Sequence, residues 1–171
     1  MTNLFKIKIK CSEGNFERFK LAFKDLYALS KLLCSSENTG VKQFIEGIMP
    51  GDPPWIAIGK QQVIIKVEDS EVIISDHDFK LKETIEYNFR TRLPADDVFI
   101  FAVISIIKHY IKDLEICNEV EHYKQDFDDG VRLARIVNPK INNPYRNTNI
   151  IYNTPYTKYI EKICKALSTS L

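Results

Sequence analysis

The most apolar stretch of the chain runs from Leu93 to Leu114 and predicts a central core helix. Pro94 suits the first helical turn, and the two aspartates that follow place negative charge at the positive end of the helix dipole. Polar character is confined to one narrow stripe, which consists of Asp97, Phe101, Ser105, Lys108 and Lys112. Because a membrane span needs roughly 17–25 apolar residues and this run is interrupted too early, we expect an interior helix with that stripe as its solvent-facing edge.

Alternating apolar and polar positions predict several β-strands. Residues 5–11 alternate between apolar side chains and lysines, which is typical of a strand with one buried face. Short apolar runs at 55–58, 62–67 and 71–75 are separated by turn-forming residues and predict consecutive hairpin strands. A further alternation over 84–89 predicts one more half-buried strand.

Apolar residues at spacings of three and four predict the remaining helices, at about 14–34, 41–48, 126–137 and 154–167. Strands and helices fall in separate blocks, which favours an α+β fold over a parallel β-α-β fold. We therefore predict a single domain over residues 1–171. Its antiparallel sheet of about four to five strands combines the N-terminal strand with a central meander, and helices pack mainly on one face.

The composition is that of an ordinary globular protein, with 171 residues and a net charge of +1. The N-terminus lacks a signal-peptide pattern, and no apolar run is long enough for a membrane span, so we expect a cytoplasmic protein without a membrane partner. The cysteines have neither disulfide-framework nor metal-site spacing, and we expect reduced, buried thiols at Cys11, Cys34, Cys117 and Cys164. No motif predicts a cofactor or a metal.

The near-neutral charge conceals a strong segregation. Residues 1–66 hold ten basic and six acidic side chains, residues 67–130 hold seven and sixteen, and residues 131–171 hold seven and one. Either the two basic ends fold back on the acidic middle and neutralise it, or opposite faces carry opposite charge and one of them meets a partner.

The acidic middle and the absence of catalytic motifs favour a non-enzymatic protein-binding module. An inhibitor or immunity protein that neutralises a toxin or nuclease belongs to this class, and its acidic surface would face a basic partner. The acidic candidates for this contact are Glu115, Glu119, Glu121, Asp126, Asp128 and Asp129. Trp55 follows a stiff loop with three prolines in five residues; it is either a contact residue or the start of a buried strand.

Two other classes of function stay open. Nucleic-acid binding would use the basic C-terminal part with its interleaved tyrosines, and the cations that could contact phosphate are Arg132, Arg135, Lys140 and Arg146. An enzyme would need a site assembled from distant residues. Glu119 and His122 have the helical spacing of a metal motif without its second copy. His77 lies between two aspartates in what we expect to be a polar turn, and His109 is expected to be a hydrogen-bonded packing residue.

Overall fold

The computed structural model describes five segments of the chain, which are residues 3–34, 55–67, 70–91, 94–117 and 124–142. Three predicted structural elements lie outside these segments, as do Cys164 and the side chain of Cys34. The three elements are the helix at 41–48, the proline-rich loop before Trp55 and the helix at 154–167.

The described segments contain six strands and four helices, which confirms the α+β class. The strands are β1 (Asn3–Lys10), β2 (Trp55–Ile58), β3 (Gln62–Val67), β4 (Ser70–Ser75), β5 (Thr84–Thr91) and β6 (Glu115–Ile116). The helices are α1 (Glu13–Cys34), α2 (Asp76–Lys80), α3 (Pro94–Tyr110) and α4 (Lys124–Val137).

The strands form two antiparallel sheets of three, in the orders β5-β1-β6 and β2-β3-β4, where a single sheet was predicted. The N-terminal strand pairs with β5, the last strand of the predicted meander, and with β6, but β5 is not in the same sheet as β2, β3 and β4. Where β4 meets β5, the Ser70 hydroxyl accepts from Arg90 N at 3.0 Å and donates to Arg90 O at 3.1 Å. At the other end of these strands the chain passes from β4 through α2 to β5. No continuous backbone ladder joins β4 to β5.

Both sheets turn one face towards a shared core that α1 and α3 complete. The inward side chains of the first sheet include Phe5, Ile7, Ile9, Tyr87 and Phe89. Those of the second are Ile56, Val63, Ile65, Val67, Val72 and Ile74. Because this alternation is strict, the opposite face of each sheet carries the polar and exposed residues.

Helix α3 is the buried central helix that the sequence predicts, with Phe99, Ile100 and Val103 fully buried. It ends at Tyr110, one turn earlier than predicted. The prediction of a solvent-facing edge is wrong for its first three turns, because Asp97, Phe101 and Ser105 are also buried.

Helix α4 explains part of this burial, since it lies directly on α3 at Gly130. An added Cβ at Gly130 would lie 2.5 Å from Phe101 Cβ and 2.9 Å from Val98 O. The polar groups of the stripe are satisfied locally: Thr91 Oγ1 donates to the Asp97 carboxylate, and Ser105 Oγ donates to the Phe101 carbonyl at 2.7 Å.

The segment predicted as a polar turn around His77 is a short helix instead. Ser75 and Asp78 form a capping box, in which Ser75 N donates to Asp78 Oδ2 at 3.3 Å and Asp78 N donates to Ser75 Oγ at 3.4 Å. Tyr87 Oη also donates to Asp78 Oδ2, at 3.0 Å. The helix buries Phe79, whose ring centroid lies 5.2 Å from that of Phe16 on α1.

Candidate protein-binding surface

The outward side of the β2-β3-β4 sheet carries two rows of side chains, each crossing all three strands. In the first row Trp55 lies opposite Lys66, which lies opposite Glu71. In the second row Ala57 lies opposite Ile64, which lies opposite Ile73. We call these six residues the Trp55 face.

The Trp55 face exposes large apolar side chains. Ile73 is 46% exposed and Trp55 is 39% exposed, while Ala57 is exposed and Ile64 half-buried. Scattered apolar residues on a surface are ordinary, but a contiguous apolar patch marks a contact site. The strand registers place these four side chains together, so this face is the strongest candidate for binding.

The signal for this face is present in the sequence. A strand with one buried side normally alternates apolar and polar residues, but β4 contains an unbroken Val72-Ile73-Ile74 run and β3 a similar Val63-Ile64-Ile65 run. With the flanking residues of each run pointing inward, the middle isoleucine must point outward. Runs of this kind also fit a strand buried on both sides, so the sequence alone does not distinguish the two cases.

The edge strand β2 is blocked from extending the sheet at one point. Ser30 Oγ on α1 donates to the Ile56 carbonyl at 3.1 Å, and α1 packs along β2. Covering an edge strand with a helix is a common way of preventing strand addition. The face of this sheet is therefore a better candidate contact surface than the covered β2 edge.

The acidic candidates are not assembled into one surface by the described residues. Glu115 is exposed on β6, opposite Lys8 of β1, and Asp128 is half-buried on α4. Asp129 is fully buried, with its carboxylate 3.5 Å from the Arg132 guanidinium, so its assignment to an exposed partner-binding surface is corrected. Glu119, Glu121 and the side chain of Asp126 lie outside the described residues.

Two of the cations proposed for nucleic-acid binding make contacts within the chain. Arg132 pairs with Asp129, and Arg135 Nε donates to the Ile141 carbonyl at 2.8 Å. Lys140 is exposed just after α4, and Arg146 lies outside the described residues. These contacts favour structural roles for the two arginines.

Sequence reasoning missed a polar junction where α1, α3 and the end of α4 meet. Asp25 Oδ2 accepts from Tyr110 Oη at 2.6 Å and from Asn138 Nδ2 at 3.0 Å, and Asp25 is only 7% exposed. Burial, followed by the hydrogen bond to Asp25, raises the pKa of Tyr110 to about 12. Tyr110 is therefore protonated at neutral pH, and the junction acts as a hydrogen-bonded tie between helices.

His109 lies beside this junction, its ring 4.9 Å from that of Tyr110. Its Nδ1 atom is buried and has no hydrogen-bond partner among the described residues, so the expected hydrogen bond is not made at this atom. Burial lowers the pKa of His109, Lys112 and Lys140 lower it further, and Asp25 opposes them. A half-buried imidazole whose pKa is lowered makes the folded state less favourable in acid.

We expect His109→Gln to flatten the dependence of stability on pH. Below the ordinary histidine value of 6.5 the unfolded chain binds the proton more readily than the folded chain, so the free energy of unfolding falls as pH decreases. Urea unfolding between pH 7 and pH 5 measures how steeply the free energy of unfolding changes with pH. The matched control is His77→Gln, the same substitution at an exposed position of α2; a His109→Gln curve that runs parallel to the wild-type curve would contradict the assignment.

Thiol chemistry is limited at Cys11. The side chain is buried, and burial together with the nearby Asp78 carboxylate raises its pKa to about 11. Because the thiolate is the nucleophile, this raised pKa leaves little reactive thiolate at Cys11 at neutral pH. Cys117 is exposed, so the prediction of a buried thiol is wrong there.

The surface depression next to α2 does not combine these groups into a catalytic site. It has a volume of about 390 Å³. Its lining, which contains neither histidine nor cysteine, consists of Glu13, Gly14, Phe16, Glu17, Asp76, Phe79 and Lys80. Within the described residues, no group of three or more histidine, cysteine or carboxylate side chains is arranged to hold a metal ion.

Comparisons of the chain with protein-family models, with curated proteins and with solved structures find no match. None of the helices in the described segments combines the length and apolar character needed to span a bilayer. Function is therefore inferred from the residues and geometry of this chain.

Proposed function

We propose that this chain is a non-enzymatic protein-binding module that contacts its partner through the Trp55 face. The observation that supports this proposal is the pair of large exposed apolar residues, Trp55 and Ile73, on one side of a sheet whose other side is fully packed. Ala57 and Ile64 lie in the same row as Ile73, and Ala57 is the next outward residue after Trp55 on β2, so the apolar area is continuous.

The composition of the Trp55 face fits a protein interface in physical terms. Burying a large aliphatic or aromatic side chain completely is worth about 1.5–3 kcal/mol, so Ile73 and Trp55 can supply substantial binding energy. Tryptophan is enriched among the few residues that dominate binding energy in interfaces. Lys66 and Glu71 add charges that fix orientation more than they add affinity.

We propose, more specifically, that the module is an inhibitor or immunity protein that neutralises a toxin or nuclease. The acidic middle of the chain supports this form, because a basic partner would be attracted to it over long range. Among the described acidic candidates, Glu115 and Asp128 are accessible to such a partner. Apolar contact through the Trp55 face and steering by acidic side chains are complementary contributions.

The proposal predicts that binding depends on Ile73. The full-length chain is used to capture proteins from a lysate of the source cells, and each captured protein is then purified and titrated calorimetrically. We expect Ile73→Lys to weaken binding about tenfold or more, because it places a charge in the apolar centre of the contact. Trp55→Ala is expected to act in the same direction.

The matched control is Leu21→Lys, which places the same charge at a 61% exposed apolar position on α1. This variant should bind like the wild type. Equal affinities of the wild type, Ile73→Lys and Leu21→Lys would contradict the proposal. Combined charge reversal of Glu119, Glu121 and Asp126 separates the two surfaces, because a loss confined to that variant would move the binding site to the acidic stretch.

A further inference from the structure

We infer that a second copy of this chain docks on the Trp55 face, forming a weak two-fold symmetric dimer; this inference rests on the proposed function, because it needs the Trp55 face to be a protein-binding surface, and a different bound protein would displace the second copy. The Trp55 face carries one cation and one anion at directly opposed positions of neighbouring strands, Lys66 on β3 and Glu71 on β4. A two-fold interface brings one surface patch against itself, so it needs a patch that is complementary to its own image.

The strand register defines the symmetry operation. A two-fold axis that runs parallel to the strands, between β3 and β4, places β3 of each copy over β4 of the other. Lys66 then meets Glu71 of the second copy, and Ile64 meets Ile73 of the second copy. Both contacts occur twice, and the strands of the two sheets run nearly aligned, which is a common geometry for sheets packed face to face.

The same operation places Trp55 on β2 beyond the edge of β4 of the second copy. There β5 adjoins β4 through the bonds between Ser70 and the Arg90 backbone, and Arg90 is exposed. An arginine side chain stacks favourably on an indole ring. Arg90 adjoins Ser70, one position along β4 from Glu71, so Trp55 of one copy comes near Arg90 of the other while Lys66 and Glu71 pair across the axis.

The size of the patch determines how strong the dimer is. Stable interfaces use roughly 20–30 residues on each side, and the Trp55 face supplies six with Arg90 next to them. We therefore expect association of the transient class, visible as a molar mass that rises with protein concentration.

Charge reversal across the axis tests the inference on the full chain. Sedimentation equilibrium over a range of concentrations is expected to show self-association of the wild type. Lys66→Glu or Glu71→Lys alone opposes like charges at both symmetry-related contacts, and we expect each variant to weaken association at least tenfold. An equimolar mixture of the two variants should regain dimerisation, because both contacts in the mixed dimer then join opposite charges.

Lys24→Glu provides the control, because it reverses an exposed charge on α1, away from the Trp55 face. It should associate like the wild type. Recovery in the mixture also excludes misfolding as the reason for monomeric single variants. A wild type that stays monomeric at all concentrations, single reversals that associate normally, or a mixture that stays monomeric would each overturn the dimer.

The dimer and the proposed function can fail separately. A monomeric wild type that binds a different purified protein, with affinity lost in Ile73→Lys, overturns the dimer and leaves the proposed function standing. If Ile73→Lys changes neither self-association nor the binding of any captured protein, both proposals are wrong.

Discussion

Phe79→Ala is expected to lower the free energy of unfolding by about 3–5 kcal/mol, the range typical of a deleted core phenylalanine. The ring is 1% exposed and its centroid lies 5.2 Å and 5.6 Å from those of Phe16 and Phe19. These contacts attach α2 to α1 at the point where the chain passes from β4 to β5. Since α2 has only five residues, it has little helical stability of its own to offset the loss.

Urea unfolding followed by circular dichroism measures this effect as a shift of the midpoint at constant slope. The control is Leu81→Ala, two residues further along, where the side chain is 49% exposed. We expect that change to stay within about 0.5 kcal/mol of the wild type. Similar losses in the two variants would show that Phe79 does not anchor α2.

Gly130→Ala is expected to destabilise the protein by about 1–3 kcal/mol, although alanine is intrinsically the better helix former by about 1 kcal/mol. The added methyl group would lie 2.5 Å from Phe101 Cβ and 2.9 Å from Ala102 N and Val98 O. Two of these three atoms belong to the α3 backbone, so the contact is relieved only by moving α4 away from α3. That movement would loosen the densest helix pair in the described part of the chain.

Gly14→Ala is the matched control for this substitution, because Gly14 also lies in a helix. An added Cβ there has no atom closer than Ser12 Oγ at 3.9 Å, so the helix propensity of alanine is gained without a clash. We expect unfolding midpoints to move in opposite directions for the two variants. Stabilisation by Gly130→Ala would contradict the close packing of α3 and α4.

The local pattern of apolar and polar residues was sufficient to predict most helices and strands of this fold. The alternation in β1 and β5 predicts strands with one buried side, and the structure pairs Phe5 with Phe89 and Ile7 with Tyr87 on that side. The apolar run after Pro94 likewise predicts α3. These predictions succeed because each depends on a periodicity within one short segment.

Predictions that depended on distant residues were less successful. Strands β1 and β5 are neighbours in the sheet although more than seventy residues separate them in the chain. Nothing in the local pattern of either strand specifies this pairing. Asp129 belongs to an acidic run that is typical of a solvated surface. It is buried because its neighbour Gly130 brings α4 into backbone contact with α3.

Only one residue of the proposed Trp55 face could be singled out from the sequence. Trp55 was singled out in the sequence, but its place beside Ala57 and opposite Lys66 depends on the strand register. Ile73 was not singled out, because an isoleucine in an apolar run usually indicates a core position. The Asp25, Tyr110 and Asn138 junction was missed because its members come from three separate elements and form no motif.

The two bonds of the Ser70 hydroxyl determine how easily β4 and β5 can separate. Near this corner the hydroxyl joins β4 to the Arg90 backbone of β5 by two bonds to one side chain, where a continuous sheet would have a backbone ladder. A junction held by two bonds to one side chain resists separation less than a ladder would, and neighbouring parts of a protein can open as separate cooperative units. We therefore expect β4 and β5 to separate at this corner before either sheet loses its own ladders.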